Sequence, residues 1–259
     1  MKKRILLMSL VAMFVSALTM GQGLTNASIA GKITEDNGEA LPGATVVVVH
    51  EPTGTQNGTT SDNTGYFNLP NLTVGGPYTI IVSFVGYEDY VSEDVHLNLG
   101  QTYQLSASLG EGKTDVGEVT VVGYRTRQFE VFDGNRTGAE TVIGSEAINK
   151  LPTISGDLND FTRFTPQARI VGDGVSIAGM NNRYNSVMID GTVNNDVFGL
   201  ADNGMNGGQT GISAISIETI EQFQITLAPY DVRYGGFGGA GINAVTKSGT
   251  NLFQGNGVF

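Results

Sequence analysis

The sequence contains no cysteine and only two histidines, His50 and His96, in 259 residues. Without cysteine there is no disulfide framework, so an exported chain of this kind is held together by burial alone. Two histidines without thiols also fall short of the ligand set of a zinc centre. Basic residues are scarce: 14 Lys and Arg stand against 25 Asp and Glu, a net charge of −11. A surface of that sign repels phosphate backbones, which excludes nucleic acid as a partner. Long apolar runs are missing except at the start, where residues 5–20 follow the basic cluster Met1-Lys2-Lys3-Arg4. That run is shorter than the roughly 20 apolar residues of a membrane helix, and Ser9, Ser16 and Thr19 interrupt it. With small residues around Gly21 and Gln22, residues 1–22 read as a secretory signal peptide. Its removal leaves 11 basic residues against the same 25 acidic ones, a balance of −14.

Glycine is plentiful. The 37 glycines are about double the usual share of ~7%, and Asn, Thr and Ser accompany them, a composition of turns and short strands. From residue 28 to 109, β-type runs recur about every ten residues between turn signals, the spacing of a β-sandwich. Asn37-Gly38 offers a hairpin turn. Leu41-Pro42-Gly43 then turns the chain into the run 44–49, whose four consecutive valines suit a strand buried on both faces. With the alternating run at Ile29, Gly31 and Ile33, and further strands expected at 56–60, 65–69, 78–85, 90–97 and 101–108, there are seven in all. Lys32 is the only base in this region against nine acids.

The polar, glycine-rich stretch from Gly110 marks a domain boundary, and the short extended-type segment Glu118-Val119-Thr120-Val121-Val122 follows it. From Phe129 onward the pattern is mixed. Residues 144–152 look like a short helix stopped by Pro152, and 157–164 like another helical turn or two. A strand at 186–189 ends in Asp190-Gly191, and an Asn/Gly-rich loop runs on to about Gly211. A loop of that length without structure of its own is usually functional. A helical turn near Ile217 feeds a strand through Phe223 to Ile225, and a last strand spans 242–246, so the second domain is expected to be α+β.

Sharper motifs fail on context. Residues 236–241 satisfy G-x-G-x-x-G, but a strand pattern follows where dinucleotide binding needs a helix. Thr246-Lys247-Ser248 has threonine where a phosphate loop needs glycine. The alternating oxygens from Asp190 to Asp196 resemble a calcium loop, yet Ala201 stands where the bidentate acid is required. Asp62-Asn63-Thr64-Gly65 reads as a strand-connecting turn. No placed nucleophile and base is recognisable, so no catalytic residue, cofactor or metal site is assigned, and an enzyme is not expected.

Two ordered sets of residues carry a family resemblance. Gly31-Lys32-Ile33, Gly38-x-x-Leu41-Pro42-Gly43-Ala44-x-Val46, Thr53-Gly54-Thr55, Thr60-x-Asp62-x-x-Gly65-x-Phe67-x-Leu69, Tyr78-x-Ile80 and Phe84-Val85-Gly86-Tyr87 resemble the carboxypeptidase-regulatory-like β-sandwich. That domain is a spacer without peptidase chemistry. Ile177-Ala178-Gly179-Met180-Asn181-Asn182-Arg183-Tyr184-Asn185, Ile189-Asp190-Gly191, Asn194-Asn195-Asp196-Val197-Phe198-Gly199, Tyr234-Gly235-Gly236 and the run from Gly241 to Gly255 resemble the plug of TonB-dependent outer-membrane receptors of the Bacteroidetes type, in particular the Oar-like branch. Met180 departs from the arginine expected in that family.

The resemblance implies a fold class that is mainly β: an Ig-like sandwich at 28–109, a linker at 110–128 with a candidate TonB box at Glu118, Val119, Thr120, Val121 and Val122, and an α+β plug at 129–250. Residues 251–259 would then begin the first strand of a transmembrane β-barrel that this chain lacks. It further implies the cell outer membrane as location, with these domains facing the periplasm, TonB and its inner-membrane energising complex as partner, and an extracellular ligand, whether iron chelate, glycan, peptide or protein. The plug loop carrying Asn194, Asn195, Asp196 and Phe198 is the candidate ligand side. The competing expectation is a secreted or surface β-sandwich adhesin or scaffold without transport.

Overall fold

A computed structural model of the chain describes residues 25–112, 138–150, 160, 162–172, 174–201, 203–210, 215–229, 235–251, 253 and 255. The signal peptide at 1–22 and the TonB-box candidate at 118–122 lie outside the described residues.

Seven strands build the first domain: β1 (Asn26–Glu35), β2 (Thr45–His50), β3 (Thr55–Thr60), β4 (Tyr66–Thr73), β5 (Gly75–Ser83), β6 (Tyr90–Leu97) and β7 (Thr102–Leu109). They form two sheets, β4-β1-β7 and β3-β2-β5-β6. Side chains alternate across each strand, so one set from each sheet meets in the middle. Ile29, Ile33, Phe67, Leu105 and Leu109 of the first sheet close on Val46, Val48, Tyr78, Ile80 and Val82 of the second. The turns sit where glycine allows a positive φ: Gly38 (88°), Gly43 (80°) and Gly65 (78°). At Asp62 one carboxylate oxygen accepts the amides of Thr64 at 2.8 Å and Tyr66 at 3.0 Å, which folds the 62–65 connection. Gly31 answers a different need, because a Cβ there would collide with the Leu105 carbonyl across the parallel β1–β7 pair.

One expectation is corrected here. The valine run of β2 is not buried on both faces: Val46 and Val48 are buried, while Val47 and Val49 are only half-buried. Among the described residues no second layer covers the outer face of its sheet, so β-branched residues serve there for strand propensity.

The second domain is a five-stranded mixed sheet in the order β12-β11-β14-β13-β8, flanked by a β9–β10 hairpin. Its elements are β8 (Gly138–Gly144), α1 (Ser145–Lys150), β9 (Ala168–Val171), β10 (Gly174–Ile177), β11 (Ser186–Ile189), β12 (Thr192–Val193), β13 (Ile220–Pro229) and β14 (Gly241–Thr246). β11 and β14 run parallel, and the other neighbours in the sheet are antiparallel. One face carries Ile143, Val187, Phe223, Ile225, Ile242 and Ala244, and packs on Ile148 of α1, on Val175 and Ile177 of β10, and on Met205. The opposite face presents Gln222, Gln224 and Asn243, all buried. β8, β9 and β10 have no counterpart in the sequence expectations, and β8 forms one edge of the sheet. Among the described residues of 251–259, none lies in a strand.

Candidate functional site

The segment after β11 is more organised than a bare loop. The chain turns at Asp190-Gly191, where φ is positive at both residues (48° and 75°). The Asp190 carboxylate accepts the Thr246 amide at 2.8 Å and the Thr246 hydroxyl at 2.8 Å. The turn is thereby pinned to the end of β14. The chain returns as the two-residue strand β12 against Met188 and Ile189, and the expected structureless loop is corrected to a short hairpin with a folded tip.

Each sequence-selected residue of this tip has a defined place. The Asn194 amide donates to the Val187 carbonyl at 2.7 Å, and its own carbonyl accepts the Asn206 amide at 3.2 Å. The Asn195 side-chain oxygen accepts the Val187 amide at 2.7 Å, supplying a partner to a backbone group that the short β12 cannot reach. Asp196 gathers the next turn: its carboxylate takes the Ala201 amide at 2.5 Å and the Phe198 amide at 3.1 Å. The Ala201 bond, followed by further amides at 198–200, holds this carboxyl below the usual carboxylate range, with burial opposing in a smaller measure. Phe198 is not folded inward; it is 84% exposed.

Structural anchoring and display are therefore divided among neighbours. Asn195 and Asp196 spend side-chain oxygens on the backbone and Asn194 is held through its own main chain, while Ala201 and Met205 are buried beneath the tip. Burial of Met205 contributes about 1.5–3 kcal/mol. Val197, Phe198 and Leu200 project into solvent at 86%, 84% and 65% exposure. Arg183, from a 3-10 turn at Asn182–Tyr184, reaches across to donate to the Gly199 carbonyl at 2.7 Å. Val197 and Arg183 belong to the motifs quoted from the sequence, but the display of Val197 and Leu200 and the Arg183 latch are not read from it. Their signal was the apolar set inside an otherwise polar, glycine-rich stretch. Met180, which replaces the expected arginine, is 38% exposed.

Chemically, this tip is a hydrogen-bonded turn presenting apolar side chains. Among the described residues no group of three or more His, Cys, Asp and Glu is placed to hold a metal ion.

The two folded units define a β-sandwich joined to an α+β sheet domain with a displayed loop. The Carboxypeptidase regulatory-like domain family matches residues 28–110, and the TonB-dependent Receptor Plug Domain family matches residues 134–242. The chain carries both domains in that order, and together the matches support a TonB-dependent receptor fragment. It is 26% identical over 227 residues to the TonB-dependent transporter Oar of Myxococcus xanthus, covering 83% of this chain and 20% of that protein. It is also 26% identical over 255 residues to the TonB-dependent receptor SusC of Bacteroides thetaiotaomicron, covering 96% of this chain and 23% of that protein. The chain thus spans about a fifth of the length of these curated relatives. Among solved structures, the outer membrane transporter YddB from Escherichia coli aligns at a TM-score of 0.33 with 23% identity, over 42% of this chain and 17% of that one. A catechol 1,2-dioxygenase from Acinetobacter aligns at 0.29 with 9% identity, over 39% and 58%.

Proposed function

We propose that this chain is the gating part of an energised outer-membrane transporter: the plug occludes a β-barrel lumen, and the segment Glu118-Val119-Thr120-Val121-Val122 is the handle taken by TonB. The observation that carries this reading is the plug-domain match over residues 134–242, with the candidate box lying just before it in the sequence. In such receptors a barrel of about 22 strands surrounds the plug, and closure of the barrel satisfies its backbone in lipid. An extended segment binds TonB by adding a strand to its sheet, through main-chain hydrogen bonds. Export through the signal peptide at 1–22 would place both domains on the periplasmic side of the outer membrane.

The exposed Val197, Phe198 and Leu200 support a ligand-facing or wall-facing role for the plug tip. Apolar side chains held on a hydrogen-bonded turn present a preformed contact, with little ordering left for a ligand to impose. The ligand reads as a molecule with apolar or aromatic surface.

The test is binding of the purified chain to the periplasmic domain of TonB, followed by calorimetry. Wild-type chain binds, and Val121→Pro loses binding, because proline removes a main-chain donor needed for strand addition. Equal binding of both forms, or none by the wild type, refutes the assignment of 118–122.

A further inference from the structure

Among the described residues, turns of the sandwich hydrogen-bond to the plug at two places, and Gly75 at the start of β5 also lies against Glu221 of β13. At the first, the β6–β7 turn inserts Leu99 against the plug sheet. The Leu99 amide donates to Gln222 Oε1 at 2.7 Å, and the Leu99 carbonyl accepts from Gln224 Nε2 at 3.4 Å. Gln222 Nε2 also donates to the Asn98 side-chain oxygen at 2.8 Å. The Leu99 side chain packs with Val74 of the sandwich and Val245 of β14, apart from the main core of either domain. At the second place, Asn251 donates its side-chain amide to the Thr53 carbonyl at 2.8 Å and its backbone amide to the Pro52 carbonyl at 3.1 Å. The β2–β3 turn thus holds the chain just beyond β14.

We propose that the glutamine-bearing face of the plug sheet is a releasable docking surface for the sandwich, with Leu99 as the inserted residue and the 52–54 turn as the second contact. Three features argue for release. Leu99 is fully buried, yet it belongs to a small cluster with Val74 and Val245 that the two domains share, so undocking exposes these three side chains instead of opening either main core. The receiving face uses glutamine amides, which water can satisfy after separation; permanent interfaces are larger and more apolar. Glu140 takes a hydrogen bond from Gln224 at 3.0 Å, so the same glutamine nitrogen is shared between a plug carboxylate and the Leu99 carbonyl.

The covalent connection permits the separation. Residues 113–137 join the domains, 25 residues whose contour length is roughly 80–90 Å when extended. Docking couples the sandwich at once to β13, to β14 and to the segment leaving β14. The sandwich is then bound or free according to the state of the plug sheet.

The experiment measures the distance between the domains in the whole chain. No native cysteine is present, so cysteines at the exposed positions Gln56 and Asn206 carry spin labels without background. Double electron–electron resonance on this labelled chain gives one narrow distribution in the docked state. Leu99→Ser lies outside both main cores, and Gln224→Glu is nearly isosteric but turns an acceptor toward the Leu99 carbonyl and Glu140. Each is expected to replace the narrow component with a broad one. A broad distribution without either substitution, or a narrow one retained in both variants, overturns the proposal. Far-UV circular dichroism confirms that the variants compared are folded.

Discussion

The backbone amide of Leu99 and the side-chain oxygen of Gln222 meet at 2.7 Å across 123 residues of sequence. The bond is buried, so deleting its acceptor leaves a donor that water does not reach freely. Gln222→Ala is expected to weaken the contact between the domains by about 1–3 kcal/mol. Hydrogen exchange at Leu99 reports this directly, rising about tenfold for each 1.4 kcal/mol lost, while exchange in the sandwich core at Ile80 stays unchanged.

Gly31 sets a limit on the sandwich itself. A Cβ there meets the Leu105 carbonyl, and backbone cannot swing aside as a flexible side chain would. Gly31→Ala is therefore expected to push β1 from β7 and to destabilise the sandwich by about 1–3 kcal/mol or more. Urea denaturation should show a lower midpoint for the sandwich, while the plug amides near Phe223 keep their exchange protection.

These two residues also show what the sequence discloses and what it withholds. Gly31 sits in an alternating pattern with Ile29 and Ile33, and the strands of the sandwich follow from such alternation with Gly38, Gly43 and Gly65 as turns. Local pattern was enough there because each strand has a partly solvated face. The burial of Gln222 and Gln224 could not be read, since polar residues in a strand ordinarily face water, and here the Asn98-Leu99 turn of the other domain lies over them. β8 escaped notice because Gly-Ala-Glu-Thr-Val-Ile-Gly alternates weakly, and its pairing to β13 comes from some 80 residues away. β9 was missed for a similar reason, with Ile170 and Val171 exposed instead of buried. In the plug tip the polar residues Asn194, Asn195 and Asp196 were legible as special. Their roles as backbone anchors, with display left to Val197, Phe198 and Leu200, depend on geometry.

Asp196 gives the tip a pH dependence of defined sign. Its carboxyl is held below the ordinary range, first by the Ala201 amide, so the folded tip favours the charged form. The contribution is fully present above the unfolded carboxylate value of about 3.9 and is lost as pH falls through the lowered folded value. Amide shifts of Phe198 and Ala201 should therefore stay constant from neutral pH down to mildly acidic conditions and move only below the usual carboxylate range. Asp196→Asn should remove that acid transition. A transition in Asp196→Asn at the same pH as in the wild type would contradict the assignment.

Asp190 combines two demands, a positive φ of 48° and a carboxylate that holds both polar groups of Thr246. Asp190→Ala loses the bonds and keeps the strained backbone, costing about 1–2 kcal/mol for the conformation alone. Asp190→Gly loses the bonds but relaxes the backbone. The expected order of plug stability in urea is wild type, then Asp190→Gly, then Asp190→Ala. Equal stability of the two variants would show that the backbone conformation contributes nothing.

The most direct measurement of the central claim uses a membrane-impermeant maleimide on intact cells that make the receptor of which this chain is part. Single cysteines are introduced at Phe198 on the plug tip and at Gln56 on the sandwich. The account predicts labelling of Phe198→Cys from outside, and of Gln56→Cys only after the outer membrane is permeabilised. Labelling of Gln56→Cys in intact cells, with Phe198→Cys protected, would place the sandwich outside and contradict a periplasmic spacer behind a ligand-facing plug.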